Sequence, residues 1–229
     1  MKSSIEAILF AFQFLKRFIF NFKVLVKSIV CRDSKIEEFK KISLNDSLKY
    51  TNLIHACHTM IWFASQDTPY QRFALMQMRK DGKIGFFGGK CESKEITLYE
   101  LEETLMRELN EKANYNGPRI TIEDNYMFTH ICPSKNIVLH FFVKKLTQSE
   151  FVKLESNYQL ASCFPDETLG VFRVPLGAGS FESYKKSERF LGHFIEQRFA
   201  GNAKQQFINS VLELNLVGKK CREKLKMIS

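Results

Sequence analysis

The chain has 229 residues, 45% of them hydrophobic and 26% charged, proportions ordinary for a soluble globular protein of one domain with an extension. Lys and Arg outnumber Asp and Glu 34 to 25, a net charge of +9, and a basic surface attracts polyanions such as nucleic acid or anionic lipid. Six cysteines, at positions 31, 57, 91, 132, 163 and 221, form no C-x-x-C pair and no Cys/His cluster, which argues against a disulfide framework and for reduced thiols in an intracellular protein.

Residues 1–32 stand apart from the rest. Lys2, Lys16, Arg17, Lys23, Lys27 and Arg32 face a single acid, Glu6, with Phe10, Phe12, Phe14, Phe18, Phe20 and Phe22 between them. On a helical wheel Lys16, Lys23 and Lys27 fall within about 40° of one another. This reads as a basic amphipathic helix on a membrane surface, an organelle-targeting segment, or a helix packed on the domain. Lys16-Arg17 interrupts any apolar run near the roughly 20 residues a membrane span needs. Residues 33–50 are polar and read as a linker, 51–217 as the domain, and 218–229 as a basic, frayed tail.

Within the domain, His55–Ala64 and Arg72–Arg79 read as strands, the second by alternation of Phe73, Leu75 and Gln77 with Ala74, Met76 and Met78. Asp81-Gly82 signals a hairpin turn that returns through Lys83–Phe86. Thr97-x-x-Glu100 is a capping box opening a helix, and Asn114 can take the left-handed conformation that ends it. Strands are expected over 119–131 and 136–145. Thr147-x-x-Glu150 opens a second helix to about Tyr158. Leu169–Val174 follows as a strand, and 190–214 is mainly helical with a break near Gly201. The fold class implied is α/β.

Residues 85–112, GFFGGKCESKEITLYELEETLMRELNEK, carry the chemistry. A Gly-rich turn leads to a helix in which Glu108 and Glu111, at i and i+3, share one face with Cβ atoms about 5–6 Å apart. Such a pair suits a hard divalent cation whose shell is completed by substrate phosphate. Lys112 follows one helical turn after Glu108 and opposes this: one unit charge at 4 Å is worth on the order of 4 kcal/mol at an effective dielectric of 20. The ammonium can weaken metal binding, swing outward from a two-carboxylate site, or contact phosphate itself. His55 and His58, three apart on a strand, point to opposite faces and do not make a joint site. His130 and His140 read as structural.

This stretch resembles the Nudix box, G-x5-E-x7-R-E-U-x-E-E-x-G-U, with Lys112 in place of the second Glu of the E-E pair and Asn114 in place of the Gly. Together with HACHTMIWFA (55–64), RFALMQMRKDGKIGFFGG (72–89), IVLHFFVKKLT (137–147), LGVFRVPL (169–176) and FAGNAKQQF (199–207), the chain resembles the type-16 Nudix hydrolases. These are nuclear enzymes that remove caps from small nucleolar RNA and mRNA and hydrolyse inosine di- and triphosphates. The resemblance implies an α/β/α sandwich around a mixed sheet. It implies Glu108 and Glu111 as catalytic metal ligands with the Gly88 carbonyl, holding Mg²⁺ or Mn²⁺, and Arg107 orienting a box acid, Glu92 or Glu95. His58, Phe86 and Gln206 match base-holding positions, and Arg79 a position near the phosphates. Asp166 and Glu167 are the nearest downstream acids to complete such a site.

Hydrolysis of the pyrophosphate in capped RNA or a purine nucleoside diphosphate is the activity implied, in the nucleus or nucleolus and cytoplasm, with a homodimer as the branch's usual assembly. Peripheral membrane contact through residues 1–32 is a further expected partner interaction. Phe87, where this branch usually has Pro, and Lys112 support an alternative: a catalytically weakened relative that binds RNA or a protein.

Overall fold

The computed structural model describes residues 38–65, 71–177 and 189–228. The basic segment 1–32 lies outside the described residues. By its internal contacts the domain begins at Phe39, earlier than the composition suggests. Within the segment expected to be a linker, Lys40–Ile42 forms strand β1, and Leu44–Ser47 forms a short helix α1 whose Ser43 side chain accepts from the Asp46 amide. A polar stretch is thereby recruited as an edge strand, where one face and one edge meet water.

Seven further strands follow: β2 (Ile54–Ala64), β3 (Arg72–Arg79), β4 (Ile84–Gly85), β5 (Phe87–Lys90), β6 (Tyr126–Cys132), β7 (Ile137–Lys145) and β8 (Thr168–Gly177). They form one mixed sheet in the order β1-β6-β7-β2-β3-β4, with β8 on β3 and β5 on β2. β2 is the axis of the site. One edge runs parallel to β7 from Ile54 opposite Ile137 to Trp62 opposite Lys145. Its other edge forks: Ala56–Thr59 pair with β5, and Ile61–Ala64 pair with β3.

The fork corrects the expectation of a plain glycine turn after Phe86. Gly82 (φ +72°) turns the β3–β4 hairpin, the chain leaves β3 at Gly85, and it re-enters as β5 beside β2. Gln77, buried on β3, spans the gap: its Nε2 donates to the Phe86 carbonyl at 2.7 Å and its Oε1 accepts from Thr168 at 2.6 Å.

Alternating side chains divide the core into two layers, as the period of two requires. Cys57, Ile61 and Phe63 of β2, with Leu75 and Phe87, pack on helices α2 (Leu98–Ala113) and α4 (Gln148–Asn157). Met60, Ala74, Met76, Phe86 and Phe141 pack on helices α5 (Ala203–Glu213) and α6 (Lys219–Lys226). The result is the expected α/β/α arrangement. Helix α6 replaces the expected frayed tail because Cys221 and Leu225, four apart, are buried on one stripe. A second correction lies before β6. Thr121 caps a short helix α3 (Ile122–Asn125) through the Asp124 amide at 3.3 Å, so the strand begins only at Tyr126.

Helix α2 places the acidic residues. Thr97 accepts from the Glu100 amide at its start, and Asn114 (φ 49°, ψ 44°) ends it in the left-handed conformation. Leu101, Leu105 and Leu109 recur every four residues and are fully buried, each contributing about 1.5–3 kcal/mol of apolar burial. That stripe fixes the helix's rotation and turns the next column, Thr104 and Glu108, toward the β5 glycines. Helix α4 carries the complete capping box of Thr147 and Glu150.

Candidate active site

A cleft of about 680 Å³ opens where β2 forks, within the range of small-molecule sites. Its lining is of two chemical kinds. One set is His58 of β2, Phe86, and Asn202 and Gln206 at the start of α5. Asn202 and Gln206 are four apart and share a helix face. His58 Nδ1, Asn202 Nδ2 and Gln206 Nε2 are buried and lack a hydrogen-bond partner among the described residues. Burial, with the positive charges of Lys112 and Arg79, pushes the His58 pKa down to about 4, so the imidazole is neutral near pH 7. Phe86, 2% exposed, meets Phe141 edge-on at 4.9 Å and also forms part of the cleft wall. It serves core and cleft at once.

The other set is charged. Arg79 donates to Asp81 through Nε (3.2 Å) and Nη2 (3.4 Å), and Lys83 Nζ lies 3.3 Å from the same carboxylate. Burial works against ionisation of Asp81, but the hydrogen bonds from Arg79 and Lys83 prevail and hold its pKa below the usual value. Across the cleft, Lys112 turns inward. Its Nζ lies 3.0 Å from Glu108 Oε2 and 3.1 Å from Glu167 Oε2, and donates to the Gly88 carbonyl at 3.0 Å. Arg107 completes the set: Nη2 is 3.1 Å from Glu108 Oε1, and Nη1 is 3.0 Å from Glu111 Oε2 and 3.5 Å from Glu92 Oε1. Of the two acids expected to pair with Arg107, Glu92 is the one that does so.

Both glycines of β5 have a steric reason. Gly88 has φ +140°, and a Cβ there would fall on the Cys57 carbonyl oxygen; a Cβ on Gly89 would fall on the Glu108 carboxylate. Glycine lets backbone and carboxylate approach this closely.

The residues expected to hold Mg²⁺ or Mn²⁺ can be tested against this geometry. The Gly88 carbonyl and Glu108 Oε2 are engaged by Lys112, and Glu108 Oε1 and Glu111 Oε2 by Arg107. Glu111 is not among the cleft-lining residues. Among the described residues no group of three or more His, Cys, Asp and Glu side chains is placed to hold a metal ion. As arranged, these donors fit an ammonium and a guanidinium rather than a divalent ion.

The histidines separate as strand alternation requires. His55 faces away from the cleft, its Nδ1 2.9 Å from His140 Nε2, while His140 Nδ1 is 3.0 Å from Thr129 Oγ1. Burial, then the neighbouring His55, pushes the His140 pKa to about 3. Cys57, Cys91, Cys132 and Cys163 are thiols outside any disulfide. The cleft also contains Asn202 and Lys83, which reasoning from sequence did not single out. Asn202 had a signal, since it lies four residues before Gln206 on the same helix.

Among the described residues no helix is long and apolar enough to cross a membrane. The family described as "Nudt16-like: U8 snoRNA-decapping enzyme-like" matches residues 55–217. The U8 snoRNA-decapping enzyme of Mus musculus is 31% identical over 199 residues, covering 84% of this chain and 98% of the relative. That of Xenopus laevis is 33% identical over 191 residues, covering 78% and 84%. The Tudor-interacting repair regulator protein of Mus musculus is 28% identical over 191 residues, covering 80% and 84%. With its glycine strand, acidic helix and cleft-lining amides assembled at one fork, the chain belongs to the Nudt16-like, U8 snoRNA-decapping enzyme-like branch of the Nudix hydrolases.

Proposed function

We propose that the cleft binds a purine nucleotide through its base and hydrolyses the adjoining pyrophosphate, with capped RNA, as in snoRNA or mRNA decapping, or a purine (inosine) nucleoside diphosphate as substrate. The observation that supports it most is the trio of buried groups without a partner among the described residues, His58 Nδ1, Asn202 Nδ2 and Gln206 Nε2, in the cleft lining. A buried donor without an acceptor costs about 1–3 kcal/mol, and the base edge of a ligand supplies acceptors. Two amide donors favour a 6-oxo purine, whose O6 and N7 both accept, over adenine, whose N6 donates. Phe86 lines the same cleft and offers its ring to the base.

Arg79 and Lys83 then face the phosphates. Their shared partner Asp81 holds them in place, so little side-chain entropy is lost on binding. Arg107 orients Glu108 and Glu111 by ion pairs from one guanidinium. Nuclear and nucleolar action on capped RNA follows from the same reading, since the curated relatives are named as U8 snoRNA-decapping enzymes.

The test is turnover of inosine diphosphate and of capped RNA by the full chain with Mg²⁺, with Mn²⁺ and in EDTA, because Nudix hydrolases generally use divalent metals. Glu111→Gln and Gln206→Ala serve as controls. Product that is lost in Glu111→Gln, with a raised KM in Gln206→Ala, supports the reading. Absence of both nucleotide binding and turnover overturns it.

One observation favours a second reading, a module that binds RNA or a protein without turnover: Lys112 and Arg107 engage donors on which hydrolysis relies. A relative at 28% identity is named as a Tudor-interacting repair regulator rather than as a hydrolase. Undiminished RNA binding with no turnover in either the wild type or Glu111→Gln would select it.

A further inference from the structure

We infer that the Lys112 ammonium is a resident cation standing where a divalent ion would bind, so that this cleft holds a diphosphate without needing metal. Three oxygens converge on its Nζ from three separate segments: the Gly88 carbonyl of β5 at 3.0 Å, Glu108 Oε2 of α2 at 3.0 Å, and Glu167 Oε2 ahead of β8 at 3.1 Å. An ammonium has three N–H donors, and here each has an acceptor. The contact lengths are those of an ammonium; Mg²⁺ requires oxygens at about 2.0–2.1 Å in near-octahedral order.

The seat is built for this occupant. Gly88 and Gly89 lack the Cβ atoms that would fall on the Cys57 carbonyl and the Glu108 carboxylate. The absent side chains let the Gly88 carbonyl and Glu108 reach one point. The Lys112 side chain is 12% exposed and that of Glu108 9%, so the pair is largely shielded from bulk solvent and from salt. Its charge is balanced locally: the cleft walls carry Arg79, Lys83, Lys90 and Lys112 against Asp81, Glu92, Glu108 and Glu167. A cleft awaiting a divalent ion would carry a surplus of acids. This one is already neutral, and a second cation would enter against both Lys112 and Arg107.

Lys112 also lines the cleft and a neighbouring hollow of about 320 Å³; with its three donors already accepted it acts on a phosphate through its charge, while Arg79 and Lys83 supply the N–H donors. The inference deepens the proposed nucleotide site by naming how its phosphates are held, and its diphosphate arm rests on that reading. The metal arm does not.

The experiment is calorimetric, on the full-length protein. Mn²⁺ alone is titrated into the wild type, Lys112→Ala and Lys112→Gln, each checked for folding by circular dichroism. Inosine diphosphate is then titrated into the wild type and the Lys112 variants, in EDTA and in Mn²⁺. The wild type is expected to take up no Mn²⁺ and to bind the nucleotide with affinity within about twofold in the two buffers. Lys112→Ala is expected to gain one Mn²⁺ site and an affinity for the nucleotide at least about tenfold higher in Mn²⁺ than in EDTA, roughly the weight of one charge-assisted contact. Lys112→Gln removes the charge but keeps donors in the seat, and is expected to behave likewise. Wild-type Mn²⁺ uptake as tight as in the variants overturns the inference, and so does wild-type nucleotide binding that vanishes in EDTA and returns with Mn²⁺. If no nucleotide binds in any buffer, the proposed nucleotide site fails, and the Mn²⁺ titrations alone decide the role of Lys112.

Discussion

Two groups of residues around the cleft answer the same problem, polar groups out of water, in opposite ways. In the charged group Lys112, Arg107, Glu108 and Glu111 satisfy one another and the Gly88 carbonyl. In the uncharged group His58, Asn202 and Gln206 leave three buried nitrogens without partners among the described residues. A protein tolerates few such orphans, and each calls for an explanation. The difference separates a charged group that is internally neutralised from an uncharged group that has donors to offer a ligand.

The largest expected effect breaks the charged network. Glu108→Ala leaves the nearly buried Lys112 ammonium with only the Gly88 carbonyl and the exposed Glu167, and losing one partner of a buried pair costs up to about 3–5 kcal/mol. Urea unfolding of the variant would measure it; a loss below about 1 kcal/mol would mean the network is not the closed unit described. Next come the buried histidines: His55 and His140, 2.9 Å apart on the face of β2 away from the cleft, and His130 of β6. Burial lowers the pKa of His55, holds His140 near about 3 and His130 near about 4, each against an ordinary 6.5.

The unfolded chain therefore takes up protons that the folded chain refuses. Stability is full above about pH 6.5 and falls as the pH drops toward 3–4, by at most about 1.4 kcal/mol per pH unit for each histidine. Denaturation midpoints that stay flat from pH 7 to pH 4.5 would contradict the assigned burial.

Smaller changes probe the two amides, Asn202 and Gln206. Asn202→Ala and Gln206→Ala each remove an orphan, so stability should move by no more than about 0.5 kcal/mol while affinity for inosine diphosphate drops about tenfold. A large destabilisation with unchanged affinity would make these amides structural. The smallest effect is expected at Glu167, whose side chain is 58% exposed. Glu167→Gln should cost under about 1 kcal/mol, as exposed ion pairs do, and a larger loss would place it inside the closed network.

Much of the framework was legible in local chemistry. The alternation of β3, the Asp81-Gly82 turn, the Thr97 and Thr147 caps and the left-handed Asn114 depend on a few neighbouring residues, and each is found in the structure. Where expectation failed, distant partners decided. The polar Lys40–Ile42 is a strand because β6 offers it an edge. Phe87-Gly88-Gly89-Lys90 is a strand because β2 has a free edge there. The basic Lys219–Lys226 is helical because Cys221 and Leu225 have a core to enter.

By itself the sequence determined the α/β class and the family and singled out Gly88, Gly89, Glu108 and Gln206, which line the cleft, because spacing and residue type record those directly; it missed Asn202 and included Glu111, which does not line it. Three outcomes for Lys112 remained open in the sequence: weakening a metal site, swinging outward, or meeting phosphate. Only the tertiary structure turned it inward, since the oxygens that receive it come from residues 24 and 4 positions before it and 55 after it, and no local rule brings Gly88, Glu108 and Glu167 to one point.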